Sequence, residues 1–86
     1  MQVQTTQRGF RLIEHITYPP TDPPKGPARL LQESSIIGDY EDAFEKPGSS
    51  ALWVGEVFHL NREEVEQMRE AMGVWLETGR LPENML

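Results

Sequence analysis

The chain has 86 residues, no cysteine and a formal net charge of −6. One domain with one modest core fits that length, and neither disulfides nor thiolate metal ligation can supplement the core. The acidity disfavours non-specific nucleic-acid binding, which draws on Lys and Arg against phosphate, and no apolar run approaches the roughly 20 residues of a membrane span.

Residues 1–8 are polar, lack the apolar core of a signal peptide and read as a flexible lead-in. The expected location is therefore cytoplasmic. From Phe10 to Tyr18 one parity carries Phe10, Leu12, Ile16 and Tyr18. This period-2 alternation, with β-branched and aromatic content, predicts a first strand over 10–18. Residues 19–28 follow as a proline-rich loop, whose five prolines within residues 19–27 exclude helix and central strand.

A second strand is expected over 28–37, apolar at both ends but polar at its centre, Gln32-Glu33-Ser34-Ser35. Buried polar groups are paired, so these residues face water, join a network, or face a ligand or partner. Residues 38–50 form an acidic loop with Asp39, Glu41, Asp42 and Glu45, closed by Pro47-Gly48. A third strand is expected over 51–60, splitting at Gly55 into 52–54 and 57–60 if the glycine marks a bulge or bend.

The helix is announced at both ends. Asn61 is a good N-cap, Glu64 completes a capping box, and Gly79 followed by Pro82 marks the stop. These signals predict a helix over 62–78, about 25 Å long. Val65, Met68, Met72, Trp75 and Leu76 make its expected core stripe. Gly73 costs about 1 kcal/mol relative to Ala in mid-helix, which suggests close packing against a neighbouring element. Residues 81–86 are expected to pack loosely. The fold expected is α+β: a three-stranded antiparallel sheet, four-stranded if the third strand splits, with one C-terminal helix packed on it.

Among chemical motifs, the sequence carries no HExxH, glycine-rich phosphate loop or GxSxG. His15, His59, Glu33 and the serines have no spacing that favours a metal site or a nucleophile. No catalytic residue, metal or cofactor is assigned. Trp75 reads as a core anchor, whereas Trp53 suits core and interface equally. The apolar content exceeds what a small sheet and one helix need, which points to a homodimer.

The order of the segments carries a resemblance. Gln32-Glu33-Ser34-Ser35 precedes Leu52-Trp53-Val54-Gly55, then His59-Leu60-Asn61-Arg62-Glu63-Glu64-Val65, then Glu77-Thr78-Gly79-Arg80-Leu81. This resembles a group of small proteins of tailed bacteriophages and prophages with Q-x-S-S and W-x-G segments and a helix opening H-L-T-R-E-x-V and closing E-T-G-x-L. Asn61 stands where Thr is usual and keeps the capping chemistry. The resemblance implies phage origin and no particular activity. The expected function is a non-enzymatic inhibitor of a host defence protein in the host cytoplasm, with the acidic residues Asp39, Glu41 and Asp42 meeting a basic partner surface. The alternatives are an oligomer that sequesters a nucleotide-type immune signal and a phage structural or regulatory accessory protein. Gln32, Ser34, Ser35 and Trp53 are the expected binding residues, because a polar strand centre breaks the usual strand preference. A buried network holding the sheet register is the structural alternative.

Overall fold

The computed structural model describes residues 1–19, 21–23, 25–36, 48–57 and 59–85. Four strands, β1 (Gln2–Thr5), β2 (Arg11–His15), β3 (Ala28–Glu33) and β4 (Leu52–Val54), form one antiparallel sheet in the order β1-β2-β3-β4, followed by α1 (Arg62–Thr78). The fold is α+β.

The fourth strand comes from the N-terminus and not from a split third strand. Residues 1–8 hold β1, whose Val3 pairs with Ile13 and whose Thr5 pairs with Arg11. The hairpin is closed by backbone bonds from Thr6 to the Phe10 carbonyl (2.7 Å) and from Gly9 to the Thr6 carbonyl (2.9 Å). Gly9 adopts φ 86° there, which favours glycine. With one apolar residue among four, Gln-Val-Gln-Thr gives little alternation to detect. The other strands are shorter than their alternation suggests. Pairing ends at His15, Glu33 and Val54, and residues 55–57, 59 and 60 lie outside any strand.

An irregularity in β3 sets the faces of the sheet. Ile13 pairs with Leu31 but Glu14 pairs with Arg29, so Leu30 has no partner in β2. Such a bulge re-aims the side chains on either side of it. Leu30 and Leu31 are both buried, at 5% and 2% exposure. Arg29, which strict alternation would place beside Leu31, instead shares a face with Gln32 and bonds to it. Gly55 allows the chain leaving β4 to close on this bulge, donating to the Leu30 carbonyl at 2.8 Å.

Helix α1 covers one face. Ile13, Leu30, Leu31 and Val57 pack with Met68, Ala71 and Leu81, and Val3, Leu52 and Trp75 border the cluster. The capping box is complete, with Asn61 Oδ1 accepting from the Glu64 N–H and Glu64 Oε1 accepting from the Asn61 N–H, both at 2.9 Å. Glu64 Oε2 also meets His15 Nε2 at 2.6 Å, which ties the helix start to the end of β2.

The core stripe of α1 is narrower than expected. Met68 and Ala71 are buried and Trp75 is half-buried, but Val65, Met72 and Leu76 are exposed. The helix contacts the sheet along a line through 64, 68, 71 and 75, and the other three lie about a quarter-turn away at 100° per residue. Nothing lies within 4 Å of a side chain built at Gly73, so close packing does not explain that glycine. The tail is also tighter than expected, since Leu81 is fully buried.

Candidate functional site

The polar run Gln32-Glu33-Ser34-Ser35, which lies at the end of β3 and just past it and not at a strand centre, divides between two destinies. Glu33 is fully buried, and its carboxylate accepts from four N–H donors. Arg80 Nε and Nη2 clasp it at 3.0 Å, while the backbone N–H groups of Arg11 and Leu81 approach at 2.7 Å. A buried carboxylate is tolerable only when paired and hydrogen-bonded in this way. Hydrogen bonding to Glu33, followed in size by an opposing effect of burial and then by charge attraction, leaves the Arg80 guanidinium above the ordinary arginine range. Arg80 Nη2 donates to the Gly9 carbonyl, and Arg11 Nη1 donates to the Leu81 carbonyl. One carboxylate thereby joins β3, the β1–β2 turn, the start of β2 and the segment after the helix.

Ser34 belongs to the same interior. It is 2% exposed, its N–H donates to the Ala51 carbonyl, its carbonyl accepts from the Gly48 N–H, and its hydroxyl accepts from the Ile36 N–H at 3.2 Å. Nearby, the Trp75 indole N–H donates to the Gly48 carbonyl at 2.8 Å, which fastens the helix to this junction.

Gln32 and Trp53 go the other way. They are register partners across β3 and β4, on the face opposite Leu31 and the helix. Trp53 is 55% exposed. They line a trough of about 520 Å³ with Arg29, Ser35, Arg8 and Phe10. The Arg29 guanidinium donates to Gln32 Oε1 at 3.0 Å, and its nearest carboxylate among the described residues, Glu56, is 4.0 Å away and exposed. The Arg8 guanidinium lies over the Phe10 ring at 5.5 Å and has no carboxylate partner among the described residues. A second hollow of about 410 Å³ continues from Arg29 and Trp53 over Val54 and Gly55 to the sheet edge.

The structure therefore brings Gln32, Ser35 and Trp53 into one trough and turns Ser34 inward. Asp39, Glu41 and Asp42 lie outside the described residues. Reasoning from sequence missed Arg8 because it arrives on a hairpin turn within residues read as a lead-in, and Phe10 because alternation marks it only as the start of a strand. Arg29 owes its place to the bulge, which alternation alone does not show. His15 is engaged by Glu64 and His59 is exposed. Among the described residues no group of three metal-ligating side chains comes together, and no helix is long and apolar enough to cross a membrane. The trough presents two cations, an indole and an amide, a set suited to holding an anionic or mixed polar–aromatic surface. Comparison with family models, curated proteins and solved structures finds no match to this chain.

Proposed function

We propose that this chain is a small non-enzymatic binding protein of phage type that engages a host protein, a defence component in the first instance, through the open face of its sheet. The observation that carries this reading is the Gln32–Trp53 register pair, flanked by Arg29 and Arg8, on the face that the helix leaves uncovered. Exposed Trp and Arg are the residue types that dominate protein–protein hot spots. The trough is open to solvent, whereas small-ligand sites bury most of their ligand. The test is affinity capture from host lysate by the native chain and by the Trp53→Ala and Arg29→Ala variants. Loss of the same captured protein with both variants, at unchanged melting temperature, supports the reading. Capture that is indifferent to both substitutions defeats it.

A second reading has its own observation. Arg8, Arg29 and Trp53 line one hollow, a combination that also suits phosphate and base. Sequestration of a nucleotide-type signal would raise the melting temperature by mass action, by about 2.7 kcal/mol of stability at a hundredfold excess over Kd. Screening cyclic and NAD-derived nucleotides by thermal shift decides between a small ligand and a protein.

Self-association is a companion proposal. Val65, Met72 and Leu76 remain exposed along one side of α1, and apolar side chains grouped in this way mark contact surfaces. Sedimentation equilibrium of the native chain should give twice the 9.9 kDa chain mass, and a Val65→Glu/Leu76→Glu chain should give the single mass. Identical masses for the two remove the helix side as the contact.

A further inference from the structure

Beyond which face binds, the structure bears on how it binds. β4 is a terminal strand of the sheet. Its inward bonds are fixed by Ser34 N–H to the Ala51 carbonyl and Gly55 N–H to the Leu30 carbonyl. Backbone groups alternate in direction along an antiparallel strand, so Leu52 and Val54 turn their N–H and C=O groups to the outer edge, which no described residue pairs. Edges are blunted by short length, lysine, proline or inward charge; β4 is short, three residues, but carries no lysine, proline or charge. The opposite edge differs, since β1 reads Gln-Val-Gln-Thr and offers one apolar side chain. β4 instead carries Trp53 and Val54 at 55% and 77% exposure. Arg29 and Trp53 line two hollows, one shared with Gln32 and Phe10 and the other with Val54 and Gly55 of the edge.

We propose that the outer edge of β4 receives a short extended acidic segment of the partner protein as a fifth strand. Resting on the protein-binding reading above, this names the segment and the mode. Main-chain bonds to Leu52 and Val54 hold the segment, and alternate side chains fall on the open face, as in strand addition generally. The occupant is acidic because Arg29 and Arg8 line this site, and neither is held by a buried carboxylate among the described residues. Among the described residues Arg29 meets one carboxylate, the exposed Glu56 at 4.0 Å, and Arg8, at the far wall of the trough, meets none. A carboxylate of the added strand replaces Glu56 beside Arg29, and Trp53 packs on the neighbouring apolar side chain.

The test selects random octapeptides, displayed as a library, on the immobilised full chain, with Trp53→Ala as the counter-selection. Enriched peptides are expected to alternate Asp or Glu with β-branched or aromatic residues. Titrated into the isotope-labelled chain, such a peptide should shift the backbone amides of residues 52–56. Its affinity should fall about tenfold or more when the N–H groups facing β4 are methylated, and again when Arg29 is replaced by Glu. Exchanging the peptide carboxylate for lysine should restore binding to the Arg29→Glu chain. No enrichment, enrichment without acidic residues, indifference to N-methylation, or shifts confined to the helix would each overturn the strand mode. Displacement of the peptide by a mononucleotide or inorganic phosphate at comparable concentration would also overturn it, in favour of a small-anion site. If the peptide fails while lysate capture still requires Trp53, protein binding survives and only the strand mode is lost.

Discussion

At the scale of single residues, Glu33 is fully buried and accepts from Arg80 and from the backbone of two segments far apart in the chain. Replacing a simple buried ion pair by apolar residues is often neutral or stabilising, whereas removing one partner costs about 3–5 kcal/mol. Glu33 is not a simple pair, because it also receives the backbone N–H groups of Arg11 and Leu81. We therefore expect Glu33→Leu to lose about 3–5 kcal/mol in urea denaturation. The double variant Glu33→Leu/Arg80→Leu should remain destabilised, since two orphaned backbone donors each cost about 1–3 kcal/mol. Recovery of native stability in the double variant would show that the backbone bonds matter little. The raised value of Arg80 means that its contribution is complete below the arginine range and fades only as pH climbs above it, so its charge is constant across neutral pH. That Gln32-Glu33-Ser34-Ser35 breaks the strand pattern was legible in the sequence. Which of the four turns inward was not, because this depends on Arg80 and Leu81, nearly fifty residues further on.

At the scale of elements, the helix was legible because its determinants are local. Asn61, Glu64 and Gly79 satisfy groups within three or four residues of themselves. Two substitutions in α1 should move stability in opposite directions. Asn61→Ala removes one arm of the capping box and should cost about 1 kcal/mol. Gly73→Ala meets nothing within 4 Å and should gain about 0.5–1 kcal/mol from propensity. In a domain of this size each 1 kcal/mol corresponds to roughly 4–8 °C in melting temperature. The strands were less legible because their partners are distant. β1 has too few apolar residues to announce itself, and the bulge at Leu30 depends on what Glu14 pairs with. The bulge and the trough are mechanically linked through Gly55. A Cβ at that position would stand 2.5 Å from the Arg29 carbonyl oxygen. Gly55→Ala must therefore push the chain away from the bulge, at a cost of about 1–3 kcal/mol for overpacking, and the Arg29 signals should move in an NMR spectrum. Unmoved Arg29 signals would mean that the bulge holds without this contact.

At the scale of the whole molecule, the distribution of charge separates two kinds of partner. The chain carries −6 overall, and Glu63, Glu66, Glu70 and Glu77 are exposed on the helix side, while Arg8 and Arg29 stand on the open face of the sheet. The molecule measures 44 × 26 × 20 Å. At about 0.01 M salt the Debye length is about 30 Å, so an approaching partner senses the net charge. At about 0.1 M it shrinks to about 10 Å, and the partner senses only the face it meets. An acidic segment bound for β4 is thus repelled at long range and attracted at short range. Its association rate should rise or hold steady as salt increases over that interval, and the complex should weaken only at higher salt, where the contact with Arg29 is itself screened. A basic partner meeting the acidic surface expected from Asp39, Glu41 and Asp42 would behave oppositely, since steered association slows steadily with ionic strength. Stopped-flow association rates measured from 0.01 to 0.5 M salt, using the Trp53 signal with the Trp75→Phe chain as reporter, distinguish the two. A monotonic fall from the lowest salt would move the binding surface off the sheet face and onto the acidic side of the molecule.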